Sequence, residues 1–161
     1  MLTFDELSAF VQKHCSHGEV TKDVASTPKA LKIAAEDLAK ICRALHEDPT
    51  TYFDMLSCLT GIDNGPEANT MEVVYNLYSI PFDHHLMIRV VVPREKPEVD
   101  TVSVIWKTAE WHERELYDMY GIIVKGHPDL RRILMPADWE GFPLRKDYKH
   151  QEYYRDIKVE Y

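Results

Sequence analysis

The chain has 161 residues and a mass of 18.8 kDa, which suits one domain with a substantial core and is short for two. Its formal net charge of −8 argues against nucleic-acid binding, which needs a basic face to neutralise phosphates. No stretch of about 18 apolar residues is present, and the acidic opening does not resemble a signal peptide, so neither a membrane-spanning helix nor a targeting segment is expected.

The N-terminal segment predicts a helix followed by a short strand. Residues 3–14 have the spacing of an amphipathic helix, with Thr3 as its N-cap and Glu6 completing a capping box. A brief strand is predicted near residues 18–24.

Two further helices and three strands are predicted in the middle of the chain. The helices run from Thr27-Pro28 to about residue 46, and from Asp48-Pro49 to residue 61, because a capping residue followed by proline is typical of a helix start. Strands are predicted over 71–80, 86–93 and 102–106, which are rich in Val, Ile and Tyr. Their short turns favour an antiparallel meander.

A last helix is predicted over residues 111–120. Gly121 would end it, because glycine adopts the left-handed conformation of a helix C-terminus without a Cβ penalty. Charged residues are expected on the faces away from the core, where Arg114 can pair with Glu110 and Asp118, four positions away on either side. The predicted buried stripe consists of His112, Leu116, Met119 and Tyr120.

Residues 121–161 have no helical or strand period, because prolines and glycines interrupt every candidate element. This segment holds four of the eight arginines and four of the nine tyrosines, residue types that are enriched at interface hot spots. We therefore divide the chain into a body, residues 1–120, and a C-terminal tail, residues 121–161. The tail is predicted to dock on a partner subunit in preference to packing on the body.

The order of elements predicts an α+β fold. A small, mostly antiparallel sheet would carry helices packed on one face, and an extended irregular C-terminal tail would follow.

Two adjacent motifs resemble a known family. The first contains Glu113-Arg114-Glu115, Asp118-Met119-Tyr120, His127, Arg131 and Ile133-Leu134, and the second is Gly-Phe-Pro-Leu-Arg-Lys-Asp-Tyr at 141–148. With them the sequence resembles the C subunit, or 30 kDa-type subunit, of proton-translocating NADH:quinone oxidoreductase, respiratory complex I.

The resemblance implies a structural, non-catalytic subunit of the peripheral arm, packed chiefly on the large quinone-site subunit. It implies no cofactor in this chain, with FMN and iron–sulfur clusters in partner subunits. The complex would pass electrons from NADH to quinone, coupled to proton translocation, at the cytoplasmic face of the bacterial inner membrane, and the chain would meet the membrane only through the complex. Ferredoxin-driven relatives and energy-converting hydrogenases contain similar subunits, so the electron donor stays open.

Eleven residues are predicted to lie at the subunit interface, from the motifs and the composition of the tail. They are Glu113, Arg114, Glu115, Asp118, His127, Arg131, Arg132, Trp139, Arg145, Lys146 and Tyr148. The carboxylates of Glu113, Glu115 and Asp118 are interpreted as a solvated or partner-facing surface, not an acid/base cluster, because no nucleophile or glycine-rich pocket accompanies them.

No metal or cofactor ligand is predicted. His112-Glu113 begins an HExxH zinc motif, but Leu116 occupies the second histidine position. The cysteines at positions 15, 42 and 58 are interpreted as reduced thiols, since an iron–sulfur cluster needs about four closely spaced thiolates.

Basic pairs in the tail leave a second function open. Arg131-Arg132 and Arg145-Lys146 can converge on a phosphate or phospholipid headgroup, as in a stand-alone anion-binding module. We favour pairing with carboxylates of this chain or of a partner, because the local charge nearly cancels. The anion-binding module predicts a stable monomer with its tail packed on the body, whereas a subunit predicts an exposed apolar surface and poor solubility when it is expressed alone.

Overall fold

The computed structural model describes residues 2–159 and confirms the α+β class. The elements are, in chain order, α1 (Phe4–His14), β1 (Thr21–Asp23), β2 (Ala30–Ile33), a 3-10 helix (Ala35–Asp37), α2 (Leu38–Glu47), β3 (Met55–Asp63), β4 (Thr70–Ser79), β5 (His84–Pro93), β6 (Glu98–Asp100), α3 (Ala109–Tyr120), β7 (Ile123–Lys125), β8 (Tyr153–Tyr154) and β9 (Ile157–Lys158).

A five-stranded sheet in the order β1-β2-β5-β4-β3 organises the body. Its pairs are antiparallel except β2 with β5, so the predicted mostly antiparallel sheet is confirmed. Tyr75 of β4 lies between Leu59 of β3 and Ile88 of β5, and all three are buried. Apolar residues of α1, α2 and α3 join them in one core. Each such side chain contributes about 1.5–3 kcal/mol when fully buried.

The first helix and the first strand agree with the sequence prediction. Thr3 caps α1 by accepting a hydrogen bond from the Glu6 N–H, and the Glu6 carboxylate accepts the Thr3 N–H at 2.7 Å. The strand predicted near residues 18–24 is β1.

The second predicted helix is wrong over its first ten residues. Residues 30–33 form β2, which pairs in parallel with β5, and α2 begins only at Leu38. Leu31 and Ile33 point into the core with the two-residue period of a strand. Their partner strand lies more than fifty residues away, so local spacing did not reveal it.

The third predicted helix is also wrong, because residues 55–63 form the edge strand β3. An irregularity in its pairing with β4 falls between Leu56 and Cys58. This bulge puts Leu56 and Leu59, three residues apart, in the core together. Spacing of three is also the spacing of a helix face, which explains the misassignment.

The predicted strand over residues 102–106 is replaced by turns. Val102 and Trp106 are buried there, and the Trp106 indole donates to the Phe53 carbonyl oxygen at 3.0 Å. A short parallel pair of β6 with β7 forms instead, which joins the start of the C-terminal tail to the body.

Candidate subunit interface

Helix α3 carries the first part of the first motif, residues 113–120, and packs directly on β3. A Cβ added to Gly61 of β3 would lie 2.8 Å from the Tyr120 ring and 2.9 Å from the Leu116 side chain, so glycine is what permits this close approach. The predicted end of the helix is confirmed. Gly121 has φ +71° and donates its N–H to the Tyr117 carbonyl oxygen at 2.8 Å.

The prediction for the charged faces of α3 is wrong. Glu113 and Asp118 are buried against this chain, with 1% and 0% of their surfaces exposed, and only Glu115 of the three carboxylates faces solvent. The expected pairs of Arg114 do not form. Its guanidinium donates instead to the carbonyl oxygens of Arg131 and Arg132, at 3.2 and 2.9 Å.

Asp118 holds residues 132–135 of the C-terminal tail against α3. One carboxylate oxygen accepts three consecutive backbone N–H groups, from Ile133, Leu134 and Met135, at 2.7–3.0 Å. The other oxygen accepts the Arg132 guanidinium at 2.7 Å. Burial alone would raise the pKa of this carboxyl, but these donors outweigh it and the pKa lies below its usual value.

Arg132 connects Asp118 to the segment that contains the start of the second motif. Its Nη1 also donates to the Asp118 carbonyl oxygen at 3.1 Å, and its Nη2 donates to the carbonyl oxygens of Trp139 and Gly141, both at 2.9 Å. One side chain therefore joins α3 to two points of the C-terminal tail. Its fork of donors is what makes such bridging possible.

A second buried carboxylate, Asp63 at the end of β3, anchors the second motif. It accepts the Arg94 guanidinium through both oxygens at 3.0 Å and the Lys146 backbone N–H at 2.8 Å. Arg94 also binds Asp147. The Arg94 hydrogen bonds hold the pKa of Asp63 well below its usual range. The sequence analysis did not select Asp63 or Arg94. The available signal for Asp63 was an acidic residue at the end of an apolar stretch, directly before the turn Asn-Gly-Pro.

Phe142 lies close to two cations. The guanidinium carbons of Arg145 and Arg132 lie 4.9 and 5.3 Å from the centroid of its ring. The Leu144 N–H donates to the Met119 carbonyl oxygen at 3.0 Å, and Arg145 Nε donates to the Tyr120 carbonyl oxygen at 2.6 Å. The second motif thus closes the C-terminal end of α3, where carbonyl groups lack helical partners.

We expect Gly121→Ala to lower the free energy of unfolding by about 1–3 kcal/mol. Its φ of +71° is strained for any residue with a Cβ, and the new atom would lie 2.5 Å from the Phe142 ring. Urea denaturation measures the loss. Gly126→Ala is the matched control, since its φ is +78° but the nearest atom would be 3.4 Å away. Equal losses in the two variants would contradict the contact with Phe142.

Glu113 is buried beside His127. Its carboxylate accepts the Thr101 hydroxyl at 2.6 Å and the Val102 N–H at 2.8 Å. His127 Nε2 lies 3.8 Å from it but donates to the Glu110 carbonyl oxygen, while Nδ1 accepts the Asp129 N–H. These bonds leave the His127 ring without a hydrogen bond to the Glu113 carboxylate. Burial accordingly raises the pKa of Glu113.

The Glu113→Gln variant is expected to gain stability relative to wild type as the pH rises. A carboxyl whose folded pKa is raised releases its proton more readily in the unfolded chain, so rising pH favours unfolding. Glutamine removes this effect and retains an acceptor for Val102. Melting temperatures at pH 5 and pH 8 test the idea, with Glu115→Gln, an exposed carboxylate on the same helix, as control. We expect the melting temperature of Glu113→Gln minus that of wild type to increase from pH 5 to pH 8. If this difference stays constant or decreases, the idea is disproved.

The remaining predicted interface residues lie farther along the C-terminal tail or at its surface. Trp139 donates its indole N–H to the Tyr148 hydroxyl at 3.1 Å. Arg131 pairs with Asp129 at the surface, at 2.8 Å. Lys146 is exposed, and its side chain passes Gly65. The structure therefore brings the two motifs together around α3, while Glu115 and Arg131 stand apart at the surface.

Large apolar side chains are exposed on α3 and the C-terminal tail. Trp111 on α3 is 63% exposed, and the guanidinium of Arg114 lies over its ring. The others are Leu134, Leu144, Tyr153 and Ile157, each at least half exposed. Surface that is apolar and also held in a fixed conformation is typical of protein interfaces.

The part of the chain that the structure describes offers neither a metal site nor a membrane span. Within residues 2–159, no group of three or more His, Cys, Asp and Glu side chains is arranged to hold a metal ion. No helix in that range has the length and apolar character needed to cross a membrane. All three cysteines lie in it as free thiols, with Cys42 buried and Cys58 exposed.

Solved structures share this fold. A chain of the membrane-bound sulfane sulfur reductase, an archaeal respiratory membrane complex, superposes with a TM-score of 0.72 over 90% of this chain and 85% of that one; at 22% identity, this shows the fold alone. A trypsin-resistant fragment of Nqo5 is 30% identical, with a TM-score of 0.52 over 63% of this chain and 82% of the fragment.

Sequence comparisons identify the family. The chain is 44% identical over 148 residues to the NADH-quinone oxidoreductase C subunit of Chloroherpeton thalassium, covering 89% of this chain but only 61% of that protein. It is 48% identical over 118 residues to the same subunit of Chlorobium phaeobacteroides, covering 73% of this chain and 70% of the relative. The model of the family described as respiratory-chain NADH dehydrogenase, 30 Kd subunit, matches residues 31–154, and the chain belongs to that family.

Proposed function

We propose that this chain is a structural subunit in the peripheral arm of a proton-translocating NADH:quinone oxidoreductase. One observation carries the proposal. Buried carboxylates at Asp63 and Asp118 fix a non-periodic segment on the body, and that segment keeps large apolar side chains exposed. The relatives are named as subunits of NADH-quinone oxidoreductase, and those names supply the assembly.

In this proposal the chain positions partners and carries out no redox step. FMN and iron–sulfur clusters lie in partner subunits, where electrons pass from NADH to quinone, and proton translocation belongs to the whole assembly. The three cysteines support this assignment, because they lie on separate parts of the fold and a cluster needs about four thiolates.

The large quinone-site subunit is the proposed main partner. It would cover the exposed residues Trp111, Leu134 and Leu144. Their removal from water is favourable because their side chains are apolar. Contact with that subunit would hold the chain at the cytoplasmic face of the bacterial inner membrane as a peripheral component.

Affinity isolation of the tagged chain from gently solubilised native membranes tests the proposal. We expect mass spectrometry to find flavin and iron–sulfur subunits, and we expect the isolate to transfer electrons from NADH to quinone. Recovery of the chain alone as a soluble monomer would overturn the proposal.

Two alternatives predict other results in the same isolation. A ferredoxin-driven relative or an energy-converting hydrogenase would yield an assembly that does not oxidise NADH. A stand-alone anion-binding module would yield a monomer that binds phosphate. The fold shared with the sulfane sulfur reductase is consistent with the first alternative and does not identify an electron donor.

A further inference from the structure

We propose that the guanidinium of Arg145 is the binding site for a carboxylate of the partner subunit. The inference rests on the proposed function and deepens it, since it names the chemistry by which the C-terminal tail recognises its partner.

Arg145 is fixed in place, and among residues 2–159 no carboxylate forms an ion pair with it. Its Nε donates to the Tyr120 carbonyl oxygen at 2.6 Å, and its guanidinium lies over the Phe142 ring. Within residues 2–159, no carboxylate oxygen lies within 4.0 Å of its nitrogens, and its two Nη atoms have no hydrogen-bond acceptor. The part of the guanidinium best suited to grip a carboxylate is therefore free.

The other arginines of the chain are satisfied by the chain itself. Arg114 donates to two backbone carbonyl oxygens. The arginines that pair with carboxylates are Arg43, Arg89, Arg94, Arg131, Arg132 and Arg155. Burial and repulsion from Arg94 lower the pKa of Arg145, and they outweigh the opposite effect of the nearby carboxylates of Asp147 and Asp63, neither of which forms an ion pair with it.

A groove of about 400 Å³ opens at Arg145, and Phe142, Tyr148 and Lys149 are among its lining residues. A guanidinium remains charged at neutral pH, so Arg145 presents a fixed positive charge to an anion that enters this groove. The aromatic rings supply apolar contact for the stem of an acidic side chain. The groove is thus shaped for an anion that is attached to a protein.

The charges around the groove favour a carboxylate over a phosphate. Glu140 and Asp147 also line it, and a phosphate carrying nearly two negative charges would face both. A carboxylate brings one charge and matches the planar fork of an arginine with two parallel hydrogen bonds. An aspartate, a glutamate or a terminal carboxylate of the partner meets this requirement.

Isolation of the assembly with tagged Arg145→Gln tests the inference. We expect recovery of partner subunits to fall about tenfold or more, the loss typical when one member of a desolvated charge pair is removed. Arg43→Gln is the control, because Arg43 is a surface arginine on α2 that pairs only with Glu47. Recovery with Arg145→Gln equal to that with Arg43→Gln would overturn the inference while leaving the proposed function intact. Isolation of the wild-type chain alone would overturn both.

Photocrosslinking with Arg145 intact covers the case in which Arg145→Gln fails to fold. A benzoyl-phenylalanine at position 149, in the groove, should crosslink in the assembly to a partner peptide that contains Asp, Glu or a C-terminus. Replacing that acidic group with arginine and combining it with Arg145→Glu should restore recovery. A crosslink confined to phospholipid, to a peptide without an acidic group, or to this chain would refute the assignment.

Discussion

Asp118→Ala is expected to lower the free energy of unfolding by about 3–5 kcal/mol, the range for removing one partner of a buried ion pair. The variant leaves Arg132 without its anion and three consecutive backbone N–H groups without an acceptor. Because the site is fully buried, water cannot easily replace the lost carboxylate. Urea denaturation gives the magnitude. Relative to wild type, the hydrogen-exchange rate should rise more at the amides of residues 133–135 than at other amides.

Glu115→Gln is the matched control for this experiment, because Glu115 is an exposed carboxylate on the same helix. We expect it to change the stability by no more than about 0.5 kcal/mol. If Asp118→Ala proves equally mild, the segment after residue 130 is not held by this carboxylate.

Asp63→Asn is expected to cost about 3 kcal/mol at neutral pH, because it removes a buried charged acceptor from the largely buried Arg94 guanidinium. The amide can accept fewer of the hydrogen bonds that the carboxylate receives from Arg94, Gly65 and Lys146. Asp129→Asn is the control, since its pair with Arg131 is exposed. A surface pair of that kind contributes about 0–1 kcal/mol.

Asp63→Asn should also weaken the dependence of the free energy of unfolding on pH in the acidic range. Because the folded pKa of Asp63 lies well below the value of about 3.9 in an unfolded chain, the unfolded state binds its proton first as the pH falls. The stabilisation from Asp63 is therefore complete above about pH 5 and is lost as the pH falls below 4. Urea midpoints at pH 5 and pH 3 should differ less for Asp63→Asn than for wild type. Equal differences would contradict the role of Asp63.

Local chemistry made parts of the fold predictable from the sequence. The capping box at Thr3 and Glu6 and the left-handed Gly121 depend only on neighbouring residues, and both are present as predicted. Strands β4 and β5 were also predicted, because each has the composition of a strand and is longer than the turns around it.

The errors have a common physical cause, which is that pairing over long distances overrides local spacing. Strand β2 exists because β5 lies beside it, and β3 has helix-like spacing because of its bulge. The same limit applies to the charged residues of α3. Periodicity assigns Glu113 and Asp118 to a solvent face, but their partners are the turn at residues 101–102 and the segment at 133–135.

The sequence motifs select several residues that the structure brings together, but they do not predict the contacts that these residues make. The motifs include Asp118, Arg132 and Arg145, and the structure gives them different contacts: Asp118 accepts backbone N–H groups, Arg132 joins α3 to the C-terminal tail, and Arg145 pairs with no carboxylate among residues 2–159. Asp63 and Arg94 lie outside the motifs and join the second motif to β3 only through the fold.

The three N–H groups that converge on Asp118 also bear on the thermodynamics of association. Ordering a flexible segment costs about 1–2 kcal/mol per residue in backbone entropy. Here residues 131–135 lose that freedom when the chain folds, because the acceptor that orders them is part of the same chain. A partner therefore meets a preorganised surface, and its binding should proceed with little ordering entropy and without the large heat-capacity change of coupled folding.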